Sequence, residues 1–349
     1  MLSRRFFCTF AILISLPLII LVIAPRFFHP KHVQISLHDE LDDITLFRRA
    51  TLSSLHPQAN NQQSLRPKIA FMFLTNSDMT FAPLWQNFFN GHENFYNIYI
   101  HCDPTIKIKP VGGVFQNRFI PGKKTERGSP TLISAERRLL ATAIIDDPLN
   151  LYFALISQHC IPLHSFDYVY NAIFHPPSSF FFSFPFYKHL PQSFIEIKSQ
   201  EDIMMERYNA RGHNVMEPEV PFNMFQMGSQ FFILTRKHAL VVIKERRLWR
   251  KFRLPCLNFD SCYPEEHYFP TLLSMEDPNG CTRYTLTRVN WTDSVDGHPH
   301  TYGPSEISID LIHTLRKSNS TYSFLFARKF SPECLRKLLD IADSVILRD

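Results

Sequence analysis

Two short apolar runs with an amphipathic stretch between them limit what this chain can become. Lys68–Thr75 lies between Pro67 and Asn76, and Tyr96–Asp103 ends at Pro104. Apolar runs of this length, bounded by breakers, suit strands covered on both faces. Between them, Thr80–Asn90 puts Phe81, Leu84, Trp85 and Phe88 at helical spacing, and Gly91 stops it. Strand, helix and strand within 36 residues predict a right-handed βαβ unit. Ligands in such sheets sit at the carboxyl ends of strands, so Thr75, Asn76, His101 and Asp103 are expected to border one crevice. No G-x-G-x-x-G occurs and Gly112-Gly113 is no phosphate loop, which disfavours a dinucleotide enzyme.

The alternation continues downstream. Ser129–Asp146 predicts a helix with Leu132, Ala135, Leu139, Ala143 and Ile144 on one face. Its Glu136-Arg137-Arg138 is expected on a solvated or ion-paired face. Leu151–Gln158, Gly228–Thr235, Arg283–Val289 and Tyr322–Phe326 predict strands, and Ser179–Pro185 is strand-like. Arg236–Arg247, Ser305–Lys317 and Pro332–Leu347 predict helices. Ser193–Phe225 lacks periodicity and is expected as a long loop excursion that shapes a cleft. The fold class expected is α/β, a Rossmann-type mixed sheet flanked by helices over residues 67–349.

Arg4 and Arg5 precede Phe6–Ile23, eighteen residues without a charge. That is long enough to span a bilayer, with the arginines on the cytosolic side. No small-x-small cleavage site precedes Pro25, so an uncleaved anchor is expected. The expected order is a cytosolic tail at 1–5, an anchor at 6–24, a stem at 25–66 and a lumenal domain. The stem carries a short helix near Leu41–Leu52. Of 7 cysteines, Cys8 falls in the apolar segment, and the remaining six leave fifteen full pairings open. Asn290-Trp-Thr292 and Asn319-Ser-Thr321 are glycosylation acceptors that fit an oxidising compartment. The formal charge of +5 is mild and no basic run is concentrated, so nucleic acid is not an expected partner.

The chemistry centres on Cys256–Leu273, where Tyr263-Pro264 leads to Glu265, Glu266 and His267. Proline and acids suit a helix start. Neighbouring carboxylates point about 100° apart, so one can face a cleft as a base while the other faces water. A lumenal α/β domain with a nucleotide-type crevice suits sugar transfer, in which a diphosphate leaves. No Asp-x-Asp offers a metal clamp. Arg and Lys must then carry the diphosphate, and Arg328-Lys329, after a predicted strand, are placed for it. His298-Pro-His300 lacks a clear third metal ligand and is expected to order a turn or touch substrate.

Several motifs then occur in a telling order. They are Lys68–Thr75, Ile98-Tyr-Ile-His-Cys-Asp103, Ala135-Glu-Arg-Arg-Leu-Leu140, Ile156-Ser-Gln-His-Cys-Ile-Pro-Leu163, Gly228-Ser-Gln, Cys262-Tyr-Pro-Glu-Glu-His-Tyr-Phe-Pro-Thr271 and Leu325-Phe-Ala-Arg-Lys-Phe330. From about Pro67 to the C-terminus the chain resembles the plant branch of the core-2/I-branching β-1,6-N-acetylglucosaminyltransferase family (glycosyltransferase family 14). That family also includes xylosyl- and glucuronosyltransferases. The resemblance implies a GT-A-like fold, a Golgi type II membrane protein and an inverting reaction that needs no metal or other cofactor. A UDP-sugar would be the co-substrate, and a glycan or glycoprotein the acceptor. By position, it implies Glu266 as the base, with Glu265 where the family has aspartate. It implies Lys329, then Arg328, at the donor diphosphate. Asp103 and His101 would lie by the uridine, with Leu74, Thr75 and Asn76 at the nucleotide. His300 would stand where animal members place an arginine near the phosphates.

Two departures stand out. Arg127-Gly128 replaces the usual Trp-Gly, and Phe225-Gln226-Met227 replaces Trp-Arg-Lys with the loss of both cations. The second departure motivates an alternative, a lumenal glycan-binding or scaffold protein without turnover. A zinc hydrolase built on His298, His300 and Glu266 is a third.

Overall fold

The computed structural model describes Ser15, residues 34–55, 66–175, 191–199, 201–292, 294 and 297–349. The expected cytosolic tail, the anchor apart from Ser15, and the strand-like 179–185 lie outside the described residues. Among the described residues, no helix is long and apolar enough to cross a membrane. In chain order the first half forms α1 (Leu37–Ser53), β1 (Lys68–Thr75), α2 (Ala82–Phe89), β2 (Tyr96–Cys102), α3 (Pro130–Asp146), β3 (Asn150–Ser157), β4 (Ile161–Pro162) and α4 (Phe166–Phe174). The second half forms β5 (Ser193–Glu196), α5 (Met204–Asn209), β6 (Ile233–Thr235), α6 (Arg236–Lys244), α7 (Trp249–Phe252), α8 (Tyr268–Glu276), β7 (Cys281–Arg283), β8 (Thr287–Val289), α9 (Ile309–Arg316), β9 (Phe326–Arg328) and α10 (Leu335–Asp340).

The fold is a mixed α/β arrangement around a six-stranded sheet of order β2-β1-β3-β6-β5-β7, with a second sheet β4-β9-β8. β1 runs parallel to both β2 and β3, while β6 runs antiparallel to β3. Ile69 to Phe73 of β1 are all buried, which is why that run carries no polar residue. The chain leaves β1 toward β2 on one side and later returns to β3 on the other. That reversal opens a crevice at the carboxyl ends of β1 and β3. Asn76 and Gln158 meet across it, Gln158 Nε2 donating to Asn76 Oδ1 at 2.6 Å.

Aromatic rings join the two sheets. Phe71 on β1 meets Phe89 edge-on at 4.9 Å, Phe88 at 5.9 Å and Phe326 of the small sheet at 6.3 Å. Each such ring pair contributes about 0.5–1.5 kcal/mol beyond area burial. The small sheet is thereby fixed against β1, and the residues that end β9 are carried to the crevice.

Several expectations are corrected. Of the solvated or ion-paired face expected at Glu136-Arg137-Arg138, the ion-paired part holds for Arg138 and the solvated part does not, since all three are buried. Over Arg137 and Arg138 the cover is α1, which packs across α3 and α6, while Glu136 meets Gln230. Arg138 forms a bidentate pair with Asp43 of α1 at 2.5 and 2.9 Å. Arg137 lies 4.7 Å over Phe47 and 4.9 Å over Trp249 and donates to the Glu245 carbonyl. The helix expected near Leu41–Leu52 therefore exists, is longer, and is docked on the domain. Ser193–Phe225 is not all loop: its first four residues form β5, and α5 follows. The strand expected at Tyr322–Phe326 starts later, at Phe326, so Arg328 lies within it. The C-terminal helix is broken into a 3₁₀ turn, α10 and a π-turn.

The Asp43–Arg138 pair gives a direct check on α1 docking. Asp43→Ala leaves a buried guanidinium unpartnered and is expected to cost roughly 3–5 kcal/mol, read from urea unfolding. The double change Asp43→Leu with Arg138→Met removes both charges and is expected to recover most of it. An unchanged midpoint for Asp43→Ala would contradict the docking.

Candidate active site

Glu265 and Glu266 lie in a 3₁₀ turn, Pro264–Glu266, that leads into α8. Tyr263 before it holds φ +36°, a left-handed backbone uncommon for a bulky residue. Such strain persists only where its surroundings enforce it. Here the Tyr263 ring lies between two guanidinium groups, Arg207 at 4.9 Å and Arg127 at 5.3 Å. The loop before it is closed by a Cys256–Cys262 disulfide. Leu257 and Asn258 in that loop both donate to the Ala210 carbonyl, at 2.8 and 3.0 Å, which ties the loop to the end of α5. Cys102, Cys160, Cys281 and Cys334 are unpaired.

The two carboxylates diverge as adjacent residues must. Glu266 opens to the cleft, its Oε2 accepting from Arg207 Nη1 at 2.5 Å. Its carbonyl accepts the Gly228 N–H at 2.9 Å. A Cβ at Gly228 would stand 1.9 Å from the Glu196 carbonyl oxygen, so only glycine lets this segment, which the sequence placed in a strand that in fact begins at Ile233, reach the turn. Glu265 faces inward and is buried. Its Oε1 accepts the Gly128 N–H at 2.9 Å, while its Oε2 is buried without a partner. Gly128 holds φ +71° just before Ser129 caps α3. Burial, with the charge of Glu266 added, pushes the Glu265 carboxyl up to about 7. Beneath it, Glu136 accepts from Gln230 Nε2 at 2.6 Å, and burial holds that carboxyl well above the usual range.

Cations form another wall. Arg328, at the end of β9, lies 4.4 Å over the Phe231 ring, and its Nε has no hydrogen-bond partner. Lys329 follows it. Burial, Arg328 and Arg127 together hold the Lys329 ammonium below its ordinary value. Burial and the Arg127 charge lower Arg328 as well. His159 is pushed down to about 4 by burial and by Lys329, which keeps the ring neutral.

One cleft of about 640 Å³ takes in both walls. Of the residues expected from sequence, Leu74, Thr75, Asn76, Glu265, Glu266, Arg328 and Lys329 line it. His101, Asp103 and His300 do not. His101 is buried and its Nε2 accepts the Lys123 N–H at 3.2 Å. Asp103 turns back on its own loop: Oδ1 accepts from Thr105 N–H and Oγ1, and Oδ2 accepts the Thr125 N–H at 2.7 Å. Asp103 therefore fixes Thr125, which does line the cleft, and itself borders a separate hollow of about 320 Å³. His300 pairs with Glu306 at 2.7 Å, while His298 lies at the cleft, 2.8 Å from Arg127 Nη1. The two histidines are thus turned to different partners. Among the described residues, no group of three or more His, Cys, Asp or Glu is arranged to hold a metal ion.

Sequence reasoning missed Arg207, which comes from the stretch expected to lack structure, and Tyr263, Gln158 and His159, whose motif was noticed without a role. A short helix of six residues carries too little periodicity to be seen. Asn319 is exposed, and Asn290 is half-buried at the cleft side with Oδ1 accepting the Thr292 N–H.

Glu265 makes stability depend on pH. The folded chain keeps this proton to about pH 7, whereas the unfolded chain releases it in the ordinary carboxylate range. Its stabilising contribution is full below that range and is lost as pH rises to about 7. Glu265→Gln copies the neutral form, so the pH slope of the unfolding midpoint is expected to flatten, with a remainder from Glu136. A slope identical to wild type would contradict the assignment.

A family model described as Core-2/I-Branching enzyme matches residues 69–316. A protein of Oryza sativa subsp. japonica described as Glycosyltransferase BC10 is 29% identical over 326 residues, covering 79% of this chain and 76% of that protein.

Proposed function

The chain belongs to the Core-2/I-Branching enzyme family, and we propose that it moves a sugar from a UDP-sugar to a hydroxyl of a glycan or glycoprotein, with inversion and without metal. It is a glycosyltransferase by family and by its similarity to a named one. The observation that carries the mechanism is that Glu266, Arg328 and Lys329 open into one cavity at the carboxyl ends of β1 and β3.

The reaction is a single displacement. Glu266 accepts the proton of the acceptor hydroxyl as its oxygen bonds to the anomeric carbon. The bond from that carbon to the UDP oxygen breaks, and the electron pair leaves with UDP. Lys329 meets the new negative charge as a point charge and Arg328 through its forked donors. Both are partly desolvated, which strengthens their pull on an anion relative to water. The ion pair with Arg207 orients the Glu266 carboxylate so that one oxygen is held and the other is available. Leu74, Thr75 and Asn76 run along the nucleotide side of the crevice. The donor sugar is of the GlcNAc, xylose or glucuronic acid type that the family uses. The apolar residues 6–24 anchor the protein in the Golgi membrane with this GT-A-like domain in the lumen.

Glu266→Gln is expected to lower kcat by about 10²- to 10⁴-fold with UDP affinity nearly unchanged. Equal losses in turnover and binding, measured by UDP release and calorimetry, would count against the base. Lys329→Ala is expected to weaken UDP binding about 10- to 100-fold, the worth of one charge-assisted contact. An unaltered dissociation constant would remove Lys329 from the leaving-group site.

A further inference from the structure

Two cations that line the cleft are left unused by the reaction above, Arg127 and Lys198, and Lys198 pairs with Glu196. Arg127 directly precedes Gly128, whose N–H Glu265 grips at 2.9 Å. Its backbone is therefore fixed by the same turn that carries Glu266. Its side chain lies over Tyr263, donates from Nη2 to the Gly297 carbonyl at 2.6 Å, and approaches His298 through Nη1 at 2.8 Å. None of these partners is a carboxylate. Its charge bears on both Arg328 and Lys329 and disfavours their charged forms. Three cations thus repel one another at one site, and a bound dianion would relieve that repulsion. Met227, uncharged, lines the same cleft, in the segment where the sequence carries Phe225-Gln226-Met227 and no cation.

We infer that Arg127 is a third cationic contact for the donor diphosphate and sets donor affinity in this chain. The inference rests on the reading of the cleft as a UDP-sugar site. It departs from that reading by placing a phosphate contact on the turn before α3, across from β9. A guanidinium stacked on an aromatic ring and held by a backbone carbonyl is pre-oriented, so less entropy is lost when phosphate arrives.

Calorimetric titration of the wild-type protein, Arg127→Ala and Arg127→Lys with UDP, with uridine and with UDP-glucuronate tests this. Arg127→Ala is expected to raise the UDP dissociation constant about 10- to 100-fold, Arg127→Lys to recover most of the loss, and uridine affinity to stay unchanged. UDP affinity equal to wild type in Arg127→Ala overturns the inference. So does an equal fall for uridine, which signals a collapsed site. A loss seen with UDP-glucuronate alone assigns Arg127 to the sugar carboxylate and likewise overturns the diphosphate role. Wild-type protein that binds no UDP overturns the reading of the cleft itself, whereas intact UDP binding lost only with Lys329→Ala overturns the role of Arg127 alone.

Discussion

The arrangement of the cleft depends on keeping Glu266 from pairing with Arg328 and Lys329. Opposite charges in a partly desolvated cavity attract with several kcal/mol at close range, and a carboxylate bound to Lys329 would serve neither as base nor leave the cation free. The ion pair of Glu266 with Arg207, at 2.5 Å, answers that pull from the near side. Arg207 belongs to α5, which the disulfide-closed loop ties down through the Ala210 carbonyl. The far side is fixed by other means: Phe326 packs on Phe71 of the central strand, which holds the end of β9 away from Glu266.

Beneath the cleft floor the charges are arranged differently. Burial raises the Glu265 carboxyl to about 7 and holds Glu136 well above the usual carboxylate range, while Arg211 near them, lowered to about 10 by burial, stays cationic. Every carboxylate left ionised there would draw on the cations above and weaken their field at the leaving group. His267, held to about 3 by burial and Arg207, is neutral for the same reason and donates or accepts only locally.

Much of this was legible in the residues, and what was not has a physical cause. β1 appeared at its expected bounds because a strand buried on both faces must be apolar throughout, and α3 because its cap and inner face are both explicit. The turn at Pro264 showed that two acids must diverge, and they do, but Glu265 turns into the protein to meet the Gly128 N–H and not to water as expected. Glu136-Arg137-Arg138 left water and an ion partner both open because a charged run looks alike in either case, and Asp43 is 95 positions from Arg138. Asp103 and His101 stand at the end of β2 as expected, but strand position does not tell which way a side chain turns. Asp103 finds four donors, from Thr105 and Thr125 in the connection to α3, and turns to those. His300 met Glu306 in the same local way. Arg207 was hidden because its helix is too short to leave a pattern, and its partner lies 59 residues on.

The central claim is that fixed protein cations, with no bound ion, receive the departing diphosphate opposite a carboxylate base. A crystal structure of the UDP complex grown in EDTA tests it most directly. The account requires UDP in the cleft, with diphosphate oxygens about 2.7–3.2 Å from Lys329 Nζ and Glu266 facing the vacant sugar position. UDP that enters only when a divalent metal is supplied, or that binds away from Lys329, would contradict it.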